Sequence, residues 1–414
     1  MRRDRAWLHT VNAKSSPSAK LLEEPIDFSL VQGGPLFQLC RRARLCDDAF
    51  GLLRRRIVAG IALTWLPLLV LSLLDGKALG HAVRVPFLCD VDTHARFLLA
   101  FPLLMVAELI VHQRLGNTVR QLLESPLVTG AGRPKIEAAI ASALRWRNSV
   151  LAEVLLIALA YGVGVLAVWR HHAALEILTW YGEPVGGRLL VQPSLPGWWF
   201  GYVSLPLFQF LLLRWYYRLI IWARFLWQVS RSELRLVPTH PDRAGGLGFL
   251  ATSSHAFQLL LMAQGTVVAG VFANAIFFAG AKLPQFKLEI AGVVLVLWLF
   301  VLGPLLAFVP CLVAAKRAGR REYGTLAQRY VVDFDRKWLR GGAPEGEPLL
   351  GSADIQSQAD MRNTYEVVSH MQSLPFKNGT AIQLAVFTLV PMLPLTLTMF
   401  SLGDLLDRVL KVMF

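Results

Sequence analysis

Apolar residues in this chain come in long continuous runs, not in the alternating or every-third-position patterns of soluble strands and helices. Seven runs reach or approach the length that crosses a bilayer: Ile57–Leu74, Phe97–Val111, Val150–Val168, Trp199–Ile221, Phe257–Ala279, Leu288–Ala315 and Ala381–Phe400. A helix needs about 20 residues to cover about 30 Å of hydrocarbon. Helices are expected over strands because backbone N–H and C=O groups in lipid must be satisfied within their own segment. A barrel would show alternating runs of about 10 residues. Phe97–Val111 is short, and a full span is expected there through Arg96 and His112 snorkelling to the two interfaces. The predicted fold class is all-α: a polytopic integral membrane helical bundle of about seven spans.

Between the runs the pattern changes. Residues 316–340 predict a helical continuation of the sixth span, ended by Gly341-Gly342. A second helix is expected from about Asp354 to Met371, with Ser352 in a capping sequence and Pro375 closing the segment. The chain divides into an N-terminal segment, 1–56, with an amphipathic helix over Asp27–Arg56; six spans over 57–315; a helical segment, 316–380; and 381–414. The last holds the seventh span and an amphipathic helix over Leu402–Phe414. Neither 1–56 nor 316–380 is long enough to bury a good core alone. Any site must therefore be assembled from spans and loops.

Composition supports this class. The chain is 55% hydrophobic and 17% charged with a mean hydropathy of +0.48, which excludes a disordered chain, a collagen and a disulfide scaffold and argues against a soluble enzyme. Its net charge of +14 is unevenly spread: 33 Lys and Arg fall on the side of the N-terminus and 9 on the other. The positive-inside rule then predicts N-in, C-out in the cell (inner) membrane. Basic residues beside anionic headgroups need no nucleic acid, and none is expected as a partner. The first 56 residues hold no apolar core of a signal peptide, so Ile57–Leu74 is expected to act as a signal anchor. Cys40 and Cys46 lie on the reducing side, Cys89 outside and Cys311 within a span, so no internal disulfide is expected.

Polar groups at membrane depth are the first candidate site. Glu108 and Glu153 lie near the inner ends of spans two and three, and Arg214 and Arg218 in span four are their expected partners. Asn274 joins Thr266 and Gly270 in a polar, small-residue stripe on span five, beside the stripe Gly265, Ala269 and Ala273; small residues at this spacing allow close helix approach. Two readings are open: a structural ion-pair cluster just under the inner interface with span five tightly packed, or a pathway for a small ion or solute lined by span five.

The second candidate is the loop Leu234–Phe249. Pro238 and Pro241 fix φ, and Gly245, Gly246 and Gly248 permit positive φ. Their N–H groups could form an anion nest, with His240, Asp242 and Arg243 beside it. It is neither a P-loop nor a dinucleotide fingerprint, and Asp242 as a helix cap is the plainer reading.

Two further groups carry metal-ligand types: Asp333, Asp335, Asp354, Gln356, Asp360, Asn363 and Glu366 inside, and Asp90, Asp92 and His94 outside. Neither has a recognised spacing. A solvated face and a cap before span two are expected, with no metal and no cofactor. No Gly-x-Ser-x-Gly or His-Glu-x-x-His is present.

The leading functional expectation is a channel or transporter for a small ion or solute, not driven by ATP. The alternatives are a membrane-embedded scaffold or signalling module, and an enzyme acting on a lipid phosphate at the inner interface. The scaffold's face would be 234–249 with 316–380. Expected partners are the lipid bilayer, a small ion or solute, and a second copy or another protein on the cytoplasmic face.

Overall fold

The computed structural model describes residues 28–42, 52–80, 82–165, 179–184 and 191–399. Helices dominate: α1 Pro35–Arg42, α2 Leu53–Leu74, α3 Val91–Glu124, α4 Arg133–Arg147, α5 Val150–Leu159, α6 Leu205–Ser230, α7 Gly248–Ala279, α8 Leu283–Leu339, α9 Ala353–Ser369 and α10 Asn378–Met399. The strands β1 Gly182–Pro184 and β2 Val191–Pro193 pair antiparallel, Gly182 opposite Pro193. Five helices, α2, α3, α7, α8 and α10, are long and apolar enough to cross a bilayer. The chain is an all-α multi-pass membrane bundle.

Each of these five contains one of the predicted runs. The fourth run lies in α6 and the turns before it, Leu195–Trp199 and Phe200–Ser204, where Arg214, Arg218 and Arg224 interrupt the apolar sequence. The third is the shorter apolar helix Val150–Gly162, continued by a wide turn to Val165.

Prolines account for the irregular turns. Pro304 sits in a 3-10 stretch, Gly303–Phe308, inside α8. Pro391 and Pro394 sit in the 3-10 end of α10, Val390–Met399. Each proline lacks an N–H and crowds the carbonyl four residues back.

Three sequence expectations need correction. Helix α3 is far longer than Phe97–Val111, and neither flanking side chain snorkels. Arg96 is buried and bonds both carboxylate oxygens of Asp92, at 2.9 and 2.8 Å. His112 Nδ1 lies 2.8 Å from the Ser29 hydroxyl. The Asp92 carboxylate compensates the Arg96 charge and the Ser29 hydroxyl satisfies His112, so the helix runs through both positions.

The second correction concerns the N-terminal segment. Residues 28–34 are not part of an interfacial helix but a strap inserted in the bundle. Phe28, Leu30 and Val31 are buried, and the Phe28 ring packs tilted against Trp222 and Phe225 of α6. Gly33 and Gly34, both at positive φ, bring the backbone against Arg147 and Glu153. Of that expected helix Pro35–Arg42 is helical and 53–56 belong to α2; 43–51 lie outside the described residues, as does the expected helix over Leu402–Phe414.

The third correction is that the two faces of α7 are closed. At Gly265 an added methyl would run into the Thr388 carbonyl of α10, and at Gly270 into Asp92 and Ala95 of α3. Ala269 and Ala273 are buried against Met392 and Leu395. The small residues therefore serve packing between three helices.

The loops gather at two ends. One end joins the strap, α4, the 231–247 loop and the base of α8 with α9: Arg235 N–H donates to the Leu127 carbonyl, and Gly319 packs on Pro238 and Val368. The other end joins Lys77–Asp90, Thr179–Pro184 and the α7–α8 turn. There Arg84 donates to the Phe278 carbonyl at 2.9 Å.

Candidate functional site

The intramembrane charges meet at the first of these ends. Glu108 in α3 is 1% exposed. One of its oxygens accepts from Arg218 of α6 at 2.8 Å, and the other lies 2.8 Å from Arg56 of α2. Arg214, one turn before Arg218, faces Glu153 of α5 at 3.6 Å. The Arg218 guanidinium also lies over the Trp215 ring, 4.9 Å from its centroid. Helices α2, α3 and α6 are thus tied at one carboxylate. A buried ion pair offsets its desolvation only when each group is well partnered, and Glu108 meets that condition twice over.

The sequence paired Glu108 and Glu153 with Arg214 and Arg218, and the structure brings all four together. It missed Arg56, which was assigned to an interfacial helix. The available signal was depth: Arg56 immediately precedes span one, level with the inner end of span two. A cavity of about 10 Å³ touches Glu153, Arg214 and Arg218, room for a single water.

Asn274 is not part of this group. Its amide donates to Asp90 at 2.7 Å, and its carbonyl oxygen accepts from the Val91 N–H at 3.0 Å. Asp90 caps α3 and also accepts from the Thr93 N–H, the Thr93 hydroxyl and the Trp180 indole. Along α3, positions 91 and 108 are about 25 Å apart at about 1.5 Å per residue. The grouping of Asn274 with Glu108 and Glu153 is therefore corrected. Asp90 and Asp92 serve a cap and an ion pair, and burial followed by the Asp90 charge pushes the nearby Tyr181 phenol above its ordinary value.

The glycine loop does form a nest of N–H groups, and Asp242 occupies it. Its carboxylate accepts from Ala244 N–H at 2.8 Å, Gly246 N–H at 3.1 Å and Gly248 N–H at 2.8 Å. His240 Nδ1 lies 2.8 Å away. Burial works to raise the Asp242 carboxyl, but the three backbone N–H groups and His240 outweigh it and hold it below its ordinary value of 3.8. An external anion would have to displace this carboxylate, so the glycine N–H groups serve a structural turn around Asp242, the plainer of the two sequence readings. Arg243 sits at φ 58°, and its carbonyl accepts from Gln372 N–H at 2.7 Å. The loop thereby joins the segment after α9.

The acidic residues of α8 and α9 disperse into local pairs. Asp354 accepts from Lys337 and the Trp338 indole, each at 2.9 Å, and these bonds hold it below its ordinary value. Gln356 donates to Asp360, while Asp333 and Asp335 pair with Arg336 and Arg340. Among the described residues no group of three or more His, Cys, Asp or Glu is placed to hold a metal ion. The chain matches no protein-family model, and no curated protein or solved structure is detectably similar to it.

Proposed function

We propose that this chain is a seven-span protein of the cell (inner) membrane, N-in and C-out, acting as a scaffold or signalling module. Its cytoplasmic docking face is built from 234–249 and 316–380. One observation carries the reading: those two segments form a single surface, joined by the Gln372–Arg243 backbone bond and by the close approach of Gly319 to Pro238. Supporting it, Glu108 is consumed by Arg56 and Arg218 and the small faces of α7 are filled, so the bundle reads as a rigid anchor. Helix α8 is 57 residues long, about 85 Å at about 1.5 Å per residue, and overshoots a core of about 30 Å. The overshoot forms an arm with α9 that displays Val331, Val332, Leu350 and Ile355 to solvent. Exposed apolar side chains on a polar arm suit a protein partner.

The test is crosslinking in native membranes followed by affinity capture of the full chain. A partner recovered in fixed proportion, lost on Val332→Asp and on Asp242→Asn with Arg243→Gln, is the expected result. Absence of any such partner overturns the scaffold. The competing conduit reading draws on the small cavity at Glu153, Arg214 and Arg218. It requires flux in proteoliposomes that Glu153→Gln abolishes.

A further inference from the structure

Between the start of α7 and the start of α10 lies a cavity of about 180 Å³. One wall comes from Asp242, Gly248, Thr252 and His255, the other from Lys377 and Thr380. It is smaller than the roughly 300 Å³ of a drug-sized pocket, and of a size for a headgroup or a small metabolite. Gly248 and Asn378 begin two membrane helices, so the cavity sits where lipid headgroups meet hydrocarbon.

The two walls carry opposite charges that do not pair with each other. Asp242 is ionised and held in place by backbone N–H groups, and its Oδ2 accepts only from Gly248. Its one close basic neighbour, His240, is cationic only when protonated. On the other wall Lys377 is exposed and forms no ion pair among the described residues. No side chain caps the first turn of α10 beside it, so that turn's N–H groups add positive partial charge. His255 lines the cavity, and its Nε2 is buried with no hydrogen-bond partner among the described residues.

We propose that this cavity binds a zwitterionic amino-phosphate group, of phosphoethanolamine chemistry, with its ammonium on Asp242 and its phosphate toward Lys377, the first turn of α10 and His255. A primary ammonium brings three N–H donors to the free lone pairs of a carboxylate, and charge-assisted bonds of this kind are the strong ones. A choline headgroup has the charge but no donor. A glycerol headgroup has hydroxyl donors but no positive charge, so it leaves the Asp242 carboxylate without a compensating cation. The site is independent of whether a protein docks on the same face.

The experiment is native mass spectrometry of the purified full chain in detergent, doped with equal amounts of phosphatidylethanolamine, phosphatidylcholine and phosphatidylglycerol. The expected result is retention of the ethanolamine lipid about tenfold over either other lipid, equivalent to about 1.4 kcal/mol. Lys377→Gln should reduce retention of all three lipids severalfold, because each carries the phosphate that Lys377 faces. Because Asp242 also holds the loop together, Ala251→Leu serves as the second variant; it fills the cavity from its wall without altering a charge. Free phosphoethanolamine at millimolar concentration separates the sources: displacement of the lipid assigns the site to a soluble zwitterion, and its persistence assigns the site to a membrane lipid. Equal retention of the three lipids overturns the proposal, as does retention of the ethanolamine lipid that is undiminished by both Lys377→Gln and Ala251→Leu.

Discussion

Removing the Glu108 carboxylate strands two cations. Arg218 has a side chain only 3% exposed, and Glu108→Leu leaves it buried without a partner. Breaking a buried pair from one side costs about 3–5 kcal/mol, whereas replacing both members by apolar residues is often neutral. Glu108→Leu should therefore sharply lower the melting temperature in detergent, and adding Arg218→Met should restore most of the loss. If the double variant melts no higher than the single one, the cluster is not the tie described above. Asp242 gives a pH signature of the opposite kind. Its folded carboxyl lies below its ordinary value of 3.8, so its contribution is fully present above that value and is lost as pH falls through the folded one. Asp242→Asn sets an amide N–H against the Gly248 N–H. The gap in melting temperature between wild type and this variant should be widest near neutral pH and should close under acid titration below about pH 4. Pairing of Glu108 with Arg218 was legible in the sequence because a charge inside an apolar run must find an opposite charge. The bond from Asn274 to Asp90, 184 positions away, was not, since nothing local to either residue points to the other.

Two glycines in membrane helices test opposite sides of helix packing. Gly265 meets backbone: the Thr388 carbonyl of α10 cannot swing aside as a side chain would. Gly265→Ala should cost about 1–3 kcal/mol, the usual range for overpacking, and loosen α10. Gly292 in α8 has nothing within 4 Å, and Gly292→Ala should be neutral or stabilising by up to about 1 kcal/mol. Thermal melting of the pair in one detergent checks both signs; equal effects would mean that α7 and α10 are not in contact at Gly265. At this scale the apolar runs located the five membrane-crossing helices well, because continuous hydrophobicity is a local property. The true extent of α3 was hidden because Asp92, Arg96 and His112 read as boundaries. They are compatible with lipid depth only once their partners are known. The strap at 28–34 was hidden for a related reason: its few apolar residues match an amphipathic helix, and only the aromatic groove of α6 makes insertion the better burial.

The arrangement of the whole molecule follows from which loops touch. The basic loops 112–149, 231–247 and 316–380 collect at one end with Arg56, and the sparsely basic loops collect at the other, where Cys89 is exposed. Anionic headgroups and the insertion bias for Lys and Arg act in the same sense at the first end, so it should face the cytoplasm. Native Cys89 is then a reporter on the far side. With Cys40, Cys46 and Cys311 replaced, a membrane-impermeant maleimide applied to sealed right-side-out vesicles should label Cys89. In a background that also lacks Cys89, it should miss Val237→Cys and Glu345→Cys until the vesicles are opened. Val237 and Glu345 are the sharper part of the test, because they report on the 234–249 loop and on the arm beyond α8 separately. A common side for both, opposite Cys89, requires that α7, α8 and α10 each traverse the bilayer once and that the arm returns to the face it left. Labelling of Val237→Cys and Glu345→Cys from different sides would separate the loop from the arm. The docking face and the cavity beside Lys377 would then lose their common surface, whatever the stability of the bundle itself.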